Sequence, residues 1–293
     1  MSLLMSGLDC HRAGVELREK LAFSRQQVQD CVGWMAAQPG ISGCVLLSTC
    51  NRTESYLSGD AELSPWRLLC RWANAPEDAL EPYFTTRIGE EAAGHLMQVA
   101  CGLHSQILGE DQIITQVRIA MELAQACGGA DPALAALFRR AVTAGKRAKT
   151  EVHLRRGSPS MGTQCRDILE KELGTLENKR IVVIGNGQMG RLAAEILYDA
   201  GAQVSVTLRT YRHGETVVPR GCGTVPYEER LAALEKADAL VSATTSPHYT
   251  VTREQLDSLG NLPKVAVDLA VPRDIEPSCA QKLKLDDNDD RGT

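Results

Sequence analysis

The sequence predicts an α/β chain in two parts: an N-terminal α+β domain, ferredoxin-like with added helices, then a doubly wound parallel domain of Rossmann type. Three observations carry this. A chain of 293 residues has room for about two domains. Strand, glycine turn, helix and strand follow one another between Lys179 and Leu208, and strands and helices keep alternating beyond. Before that unit the chain mixes a few strand-like runs with a majority of helical segments. The expected boundaries are 1–152 for the first domain, 153–175 for a linking helix and 176–293 for the second domain.

Taken in order, Leu3 to Leu8 and Gly43 to Ser48 are apolar runs that read as strands. Ala13 to Ala22, Arg25 to Ala37 and Pro65 to Asn74 read as helices. Ile88 to Gly128 is largely helical with a break near Gly109, and Ala133 to Val152 is one long helix carrying Arg139, Arg140, Lys146, Arg147 and Lys149. Ser158-Pro159 has the form of a helix start, a capping serine followed by proline at the first helical position. Lys179 to Ile184 is a short β-branched run suited to a buried parallel strand. Arg191 to Ala200 is helical, closed by Gly201, and Gln203 to Leu208 is the second strand of the unit. Further strands are expected at Ala239 to Ala243 and Lys264 to Leu269, and helices at Tyr227 to Lys236 and Arg253 to Leu259.

Composition narrows the function. A net charge of -5 argues against a protein that coats nucleic acid, although charge can still be segregated onto one face. Residues 1–9 lack the basic start and apolar run of a secretion signal, and no stretch of about eighteen apolar residues occurs. A cytoplasmic protein is therefore expected. Aromatic residues are only 4%, so the core must rest on Leu, Val, Ile and Ala. The ten cysteines show no C-x-x-C pair, so a zinc ribbon is not expected, and most should be small buried hydrophobes.

Two stretches carry chemistry. Gly185-Asn186-Gly187-Gln188-Met189-Gly190 lies between a strand and a helix, the context in which such a glycine pattern cradles a dinucleotide. Gly185 permits the tight turn, Gly187 lets backbone approach a pyrophosphate, and Gly190 lets helix and sheet pack closely. The second strand ends in Arg209-Thr210-Tyr211-Arg212 without a carboxylate, which favours a 2′-phosphate and so NADPH over NADH. In the first half, Val45-Leu46-Leu47-Ser48-Thr49-Cys50-Asn51-Arg52-Thr53-Glu54 is an apolar strand running out to a cysteine, with Arg52 placed to favour a thiolate and Asn51 or nearby N–H groups placed to serve an oxyanion. Taken alone, a cysteine of this kind is more often an inert packing residue. His95, taken alone, reads as a helix-surface or hydrogen-bonded histidine.

With these residues stated, the chain resembles the glutamyl-tRNA reductase family over nearly its whole length. The resemblance rests on Ser48-Thr49-Cys50-Asn51-Arg52-Thr53-Glu54, on His95 with Gly102-Leu103, Ser105, Leu108-Gly109-Glu110, Gln112-Ile113 and Gln116-Val117, on Gly7-Leu8 with Val15-Glu16-Leu17-Arg18-Glu19, on Ser246-Pro247-His248, and on Asp268-Leu269-Ala270-Val271-Pro272-Arg273-Asp274-Ile275. It implies that Cys50 attacks the ester joining glutamate to tRNA, with His95 assisting or positioning. NADPH then reduces the resulting thioester to glutamate-1-semialdehyde, the first step of tetrapyrrole synthesis. It implies a substrate-recognition set of Thr49, Arg52, Glu54, Ser105, Glu110, Gln112 and Gln116, and a cofactor set of Gly185, Asn186, Gly187, Gln188, Met189, Gly190, Arg209, Thr210 and Arg212. Arg52 pairing with a substrate carboxylate would leave it less free to tune Cys50.

The chain departs from the family pattern at several places. His104 stands where Asp is usual, Cys10 and Gly14 where His and Pro are usual, Leu208 where Asn is usual, and Thr245 where Gly is usual. The family continues past an Asp-rich segment, here Asp286-Asp287-Asn288-Asp289-Asp290, into a spine helix and a helical dimerisation domain. The resemblance thus implies a homodimer only where that domain is present, and glutamate-1-semialdehyde aminomutase as a candidate partner. Two other readings stay open: a shikimate-dehydrogenase-like reductase with no need of Cys50, and an NADPH-binding regulatory protein without turnover.

Overall fold

The computed structural model describes residues 2–105, 112–151, 161–209 and 217–287. Glu110, Thr210, Arg212, the Ser158-Pro159 helix start and most of the terminal Asp-rich segment lie outside the described residues. The chain divides into two compact units, Met1–Ser158 and Pro159–Arg291.

The first unit is built from β1 (Ser2–Asp9), α1 (Val15–Arg18), α2 (Arg25–Ala36), β2 (Ile41–Ser48), β3 (Arg52–Gly59), α3 (Pro65–Ala73), α4 (Glu77–Leu80), β4 (Thr85–Ile88), α5 (Glu90–Ala100), α6 (Gln112–Ala126) and α7 (Pro132–Glu151). Its sheet runs β2-β3-β1-β4 with every pairing antiparallel. That is the ferredoxin-like βαββαβ arrangement, and α5, α6 and α7, which follow β4, are the added helices. Local chemistry sets the ends. Ser24 and Gln27 form a reciprocal capping box on α2. Asp131 accepts the Leu134 N–H at 2.7 Å to start α7, and the same carboxylate accepts the Ser58 hydroxyl, tying the helix to β3.

Two expectations for this unit are corrected, and one strand is added. The helix expected from Ala13 is only one turn, Val15–Arg18, continued as a 3-10 turn over Glu19–Leu21. Ile88 is not helical: it pairs with Leu4 as the end of β4, and Gly89 at φ +58° separates it from α5. β3, unassigned from the sequence, pairs with β2 in a hairpin and with β1 on its other side, and is buried at all eight positions.

The second unit comprises α8 (Met161–Leu173), β5 (Arg180–Ile184), α9 (Gln188–Asp199), β6 (Gln203–Leu208), β7 (Gly223–Pro226), α10 (Arg230–Leu234), β8 (Ala239–Ser242), α11 (Arg253–Asp257), β9 (Val265–Asp268) and β10 (Lys284–Asp286). The sheet order is β10-β9-β8-β5-β6-β7 and every pairing is parallel. From the β7 edge this is the 3-2-1-4-5-6 order of a Rossmann sheet, with the reversal of direction between β5 and β8. Gly201, at φ +91°, comes after the Ala200 C-cap of α9, in the left-handed conformation that lets the chain turn back into β6. β7 and β10 were not expected. Both are short edge strands with no buried residue, so neither carries the apolar signal of a buried strand. Among the described residues no helix is long and apolar enough to cross a membrane.

Candidate active site

Cys50 and Asn51 form the tip of the β2–β3 hairpin, because Ser48 pairs with Thr53 and the Thr49 N–H reaches the Arg52 carbonyl at 2.8 Å. The tip is held from three directions. The Thr49 hydroxyl accepts the N–H groups of Asn51 and Arg52 at 3.2 and 3.1 Å. The Cys50 carbonyl accepts Arg18 Nη1 at 2.6 Å, and the Asn51 carbonyl accepts the Cys10 N–H at 2.9 Å. The N–H groups of Asn51 and Arg52 are thus engaged with Thr49, leaving them committed to the turn. The Asn51 side-chain oxygen is buried with no hydrogen-bond partner. Cys50 itself is half-buried, which is a rigid presentation of a thiol on a strand end.

Behind the tip lies a buried ionic array on one face of β3. Successive residues of a strand alternate faces, so Arg52, Glu54 and Tyr56 point the same way. Arg52 Nη1 donates to Glu54 Oε1 at 2.8 Å, Tyr56 donates its hydroxyl hydrogen to Glu54 Oε2 at 2.7 Å, and His95 Nε2, from α5, lies 3.0 Å from Glu54 Oε1. Arg52 Nη2 also donates to the His104 carbonyl oxygen. Burial would raise the Glu54 carboxyl, but the Arg52 charge and the His95 and Tyr56 hydrogen bonds outweigh it and hold Glu54 at about 2. Burial and the adjacent carboxylate push the Tyr56 phenol well up. An ionised carboxylate only accepts, so His95 Nε2 carries a proton toward Glu54. The His95 Nδ1 is buried and has no hydrogen-bond partner.

The structure thus joins Thr49, Arg52, Glu54 and His95 in one hydrogen-bonded network, with Cys50 in the turn between Thr49 and Arg52. Ser105 follows α5 and is partly exposed, while Gln112 and Gln116 sit one turn apart on α6 and are partly exposed. Two participants escaped the sequence reading. Tyr56 would have emerged from the period-2 alternation had β3 been recognised. Arg18 stood within the Val15–Glu19 motif, with nothing local to show that it caps the cysteine turn. His104, noted only as a departure, has its ring 5.0 Å from the His95 ring and its Nε2 2.8 Å from Gln98 Oε1. Burial, then the nearby His95 and Arg52, push its pKa down.

Five of the ten cysteines are buried, Cys31, Cys44, Cys70, Cys165 and Cys279, so half rather than most are packing residues; Cys10, Cys101, Cys127 and Cys222 are partly exposed, as Cys50 is. All ten are thiols rather than disulfides. Burial pushes Cys31 and Cys70 up to about 12 and Cys279 up to about 11.

In the second unit the glycine turn sits at the carboxyl end of β5, at the switch point of the sheet. Gly185 has φ +110°, and a Cβ there would lie 2.5 Å from the Ala243 carbonyl oxygen. A Cβ on Gly190 would overlap the Gly185 carbonyl, whereas one on Gly187 would meet nothing within 4 Å. The three glycines therefore serve the three needs stated above: turn, open approach and tight packing. The Gly185 N–H is fixed by Thr207 Oγ1 at 3.2 Å. A cavity of about 510 Å³ opens over the turn, walled by Thr207–Arg209 on one side and Thr244–Pro247 on the other. Arg209 stacks over the Tyr227 ring at 4.5 Å. Asn186 donates to the Val217 carbonyl at 3.0 Å and leaves its buried side-chain oxygen without a partner. Gln188 is exposed at the start of α9 and Met189 is half-buried beside it. These residues fit a dinucleotide, with its phosphates at the start of α9.

The Asp268–Ile275 motif supports this wall. Asp274 accepts Ser242 Oγ at 2.8 Å and the Thr244 N–H at 2.7 Å, as well as the Thr244 hydroxyl. Asp268 in turn accepts the N–H groups of Ala270, Asp274 and Ile275. Burial and the neighbouring Asp274 push Asp268 up to about 8.

Comparison with known proteins agrees with both units. Residues 6–152 match the family model for the glutamyl-tRNA reductase N-terminal domain, and residues 167–290 match the shikimate/quinate 5-dehydrogenase model. A glutamyl-tRNA reductase from Acetivibrio thermocellus is 40% identical over 98% of this chain and 85% of its own length. A probable multifunctional siroheme biosynthesis protein HemA from Ruminiclostridium josui is 41% identical over 95% of this chain, which spans about half of that relative, 54%. The solved glutamyl-tRNA reductase of Methanopyrus kandleri is 33% identical, covers 99% of this chain and 72% of its own, and has a TM-score of 0.47. The dehydrogenase likeness is confined to the cofactor unit, so it accounts for the glycine turn and not for the cysteine hairpin. The second unit is accordingly of a nicotinamide-cofactor-binding type, and the chain belongs to the glutamyl-tRNA reductase family.

Proposed function

We propose that this chain reduces glutamyl-tRNA to glutamate-1-semialdehyde with NADPH, through a thioester on Cys50, as the first step of tetrapyrrole biosynthesis in the cytoplasm. The single observation that supports it best is the half-buried thiol of Cys50, fixed at a hairpin tip whose next strand anchors the Arg52–Glu54–His95 array. The thiolate sulfur adds to the glutamyl carbonyl carbon, the ester C–O bond breaks, and the tRNA ribose oxygen leaves with a proton. A thiol suits this step because its conjugate base is a strong nucleophile near neutral pH. The proton lost by the thiol ends on the leaving oxygen, with His95, held through Nε2 by Glu54, assisting or positioning. Thr49, Arg52, Glu54, Ser105, Glu110, Gln112 and Gln116 recognise the glutamyl group, directly or by holding the turn.

When bound, the nicotinamide cofactor supplies a hydride to the thioester carbonyl carbon. Gly185, Asn186, Gly187, Gln188, Met189 and Gly190 would hold its phosphates, and Arg209, with Thr210 and Arg212, would hold a 2′-phosphate. Cleavage of the C–S bond then returns the Cys50 sulfur and releases the aldehyde, a product reactive enough to call for direct hand-over to an aminomutase.

The test is incubation with glutamyl-tRNA, with and without NADPH. Without NADPH, mass spectrometry should find a glutamyl adduct on Cys50; with it, semialdehyde should appear. Cys50→Ser should abolish both. Reduction that persists in Cys50→Ser would end this reading.

A further inference from the structure

A shallow groove of about 490 Å³ lies on the first unit between α5 and α7, lined by Met97, Arg139, Arg140, Thr143 and Arg147 with two alanines. Its cations are unusual for a chain of net charge -5. Arg139, Arg140, Thr143 and Arg147 are all exposed, and no ion pair engages Arg139 or Arg140 among the described residues. Arg147 is partly neutralised by Glu151 at 3.2 Å. Arg139, Thr143 and Arg147 are spaced four residues apart, a row along one face of the helix roughly 12 Å long by helical rise. The acids of α5, Glu90 and Glu91, lie in its first turn, well over a turn from Met97.

Resting on the function proposed above, we propose that this groove docks the phosphate backbone of the tRNA's duplex arm, outside the thiol site. Guanidinium forks match phosphate oxygens in pairs, and Arg139 and Arg147 at the two ends of the row, with Arg140 beside it, meet successive phosphates of a strand. A membrane surface is disfavoured because a helix that lies in a lipid interface must expose apolar residues. The apolar face of α7, with Leu134, Phe138 and Ala141, is instead buried in the core.

The experiment measures binding of uncharged glutamate-accepting tRNA by fluorescence anisotropy between 50 and 200 mM salt. Each phosphate contact adds about 0.9 to the slope of log affinity against log salt, which is about 5-fold in affinity at 0.15 M. Arg139→Gln/Arg140→Gln should flatten the slope by about 2 and weaken binding about 30-fold. Glu151→Gln, which unmasks Arg147, should tighten binding by up to about 5-fold, a gain that no misfolded variant would give. A parental slope and affinity in the double variant would overturn the proposal. So would a parent that does not bind tRNA, or competition by phosphatidylglycerol vesicles as effective as by tRNA. Failure of the catalytic reading is separate: a parent that binds tRNA in this salt-dependent way but forms no Cys50 adduct would refute the chemistry and leave the groove.

Discussion

Replacing Glu54 by Gln should destabilise the first unit by about 3 kcal/mol at neutral pH, and the loss should fade in acid. Glu54 is the shared acceptor of Arg52, His95 and Tyr56, and it is 1% exposed. A carboxyl held at about 2 rather than its ordinary 4.5 contributes about 3 kcal/mol at pH 7, since each decade of proton affinity is worth about 1.4 kcal/mol. Leaving Arg52 buried without its counter-charge gives the same scale, about 3–5 kcal/mol. The sign follows from the depressed value. The stabilisation is fully present above the unfolded-state value near 4.5 and is lost as pH falls through about 2. At pH 3 less than half of it should remain. Urea titration followed by tryptophan fluorescence isolates the relevant unit, because Trp34, Trp66 and Trp72 all belong to it. A variant as stable as the parent at pH 7, or a loss of equal size at pH 7 and pH 3, would refute the claim that an ionised Glu54 holds the array together.

Alkylating agents should label Cys50 faster than Cys31, Cys70 or Cys279, whose buried thiols are pushed up to about 11–12; peptide mapping that places Cys50 among the slow sites would contradict its role. The parent should prefer NADPH to NADH, and Arg209→Ala should remove about 1.5–3 kcal/mol of that preference, the worth of a hydrogen bond to a charged group; equal titration curves for the two cofactors would dispose of the assignment. Gly190→Ala should place a methyl against the Gly185 carbonyl and cost the second unit about 1–3 kcal/mol, with weakened cofactor binding; unchanged melting of that unit by circular dichroism would show that the turn has room to spare.

Legibility differed between the two units for physical reasons. The second unit is organised by local signals. Apolar β5 and β6 flank a glycine turn whose requirements are met within six residues, so periodicity alone located the pocket floor. Its opposite wall, Thr244–Pro247, is brought there by the parallel pairing of β5 with β8, and Asp274 holds it in place from thirty residues away. Nothing in the neighbourhood of either segment announces that meeting. In the first unit β2 was readable as an apolar run, while β3 reads Arg-Thr-Glu-Ser-Tyr-Leu-Ser-Gly and has the composition of a surface segment. It is fully buried all the same, since its charges neutralise one another and find partners on α5 and β1.

The sequence by itself therefore determined the two-part architecture, the glycine turn and the position of the cysteine at a strand end, because these depend on the conformational preferences of neighbouring residues. Only the tertiary structure decided that Glu54 joins Arg52 to His95, that Arg18 holds the Cys50 carbonyl, and that three arginines of α7 line a groove. Those arrangements depend on which distant groups share a low-dielectric interior or a common face. Burial is a property of the assembled chain, and it is burial that turns a string of polar residues into a single electrostatic unit.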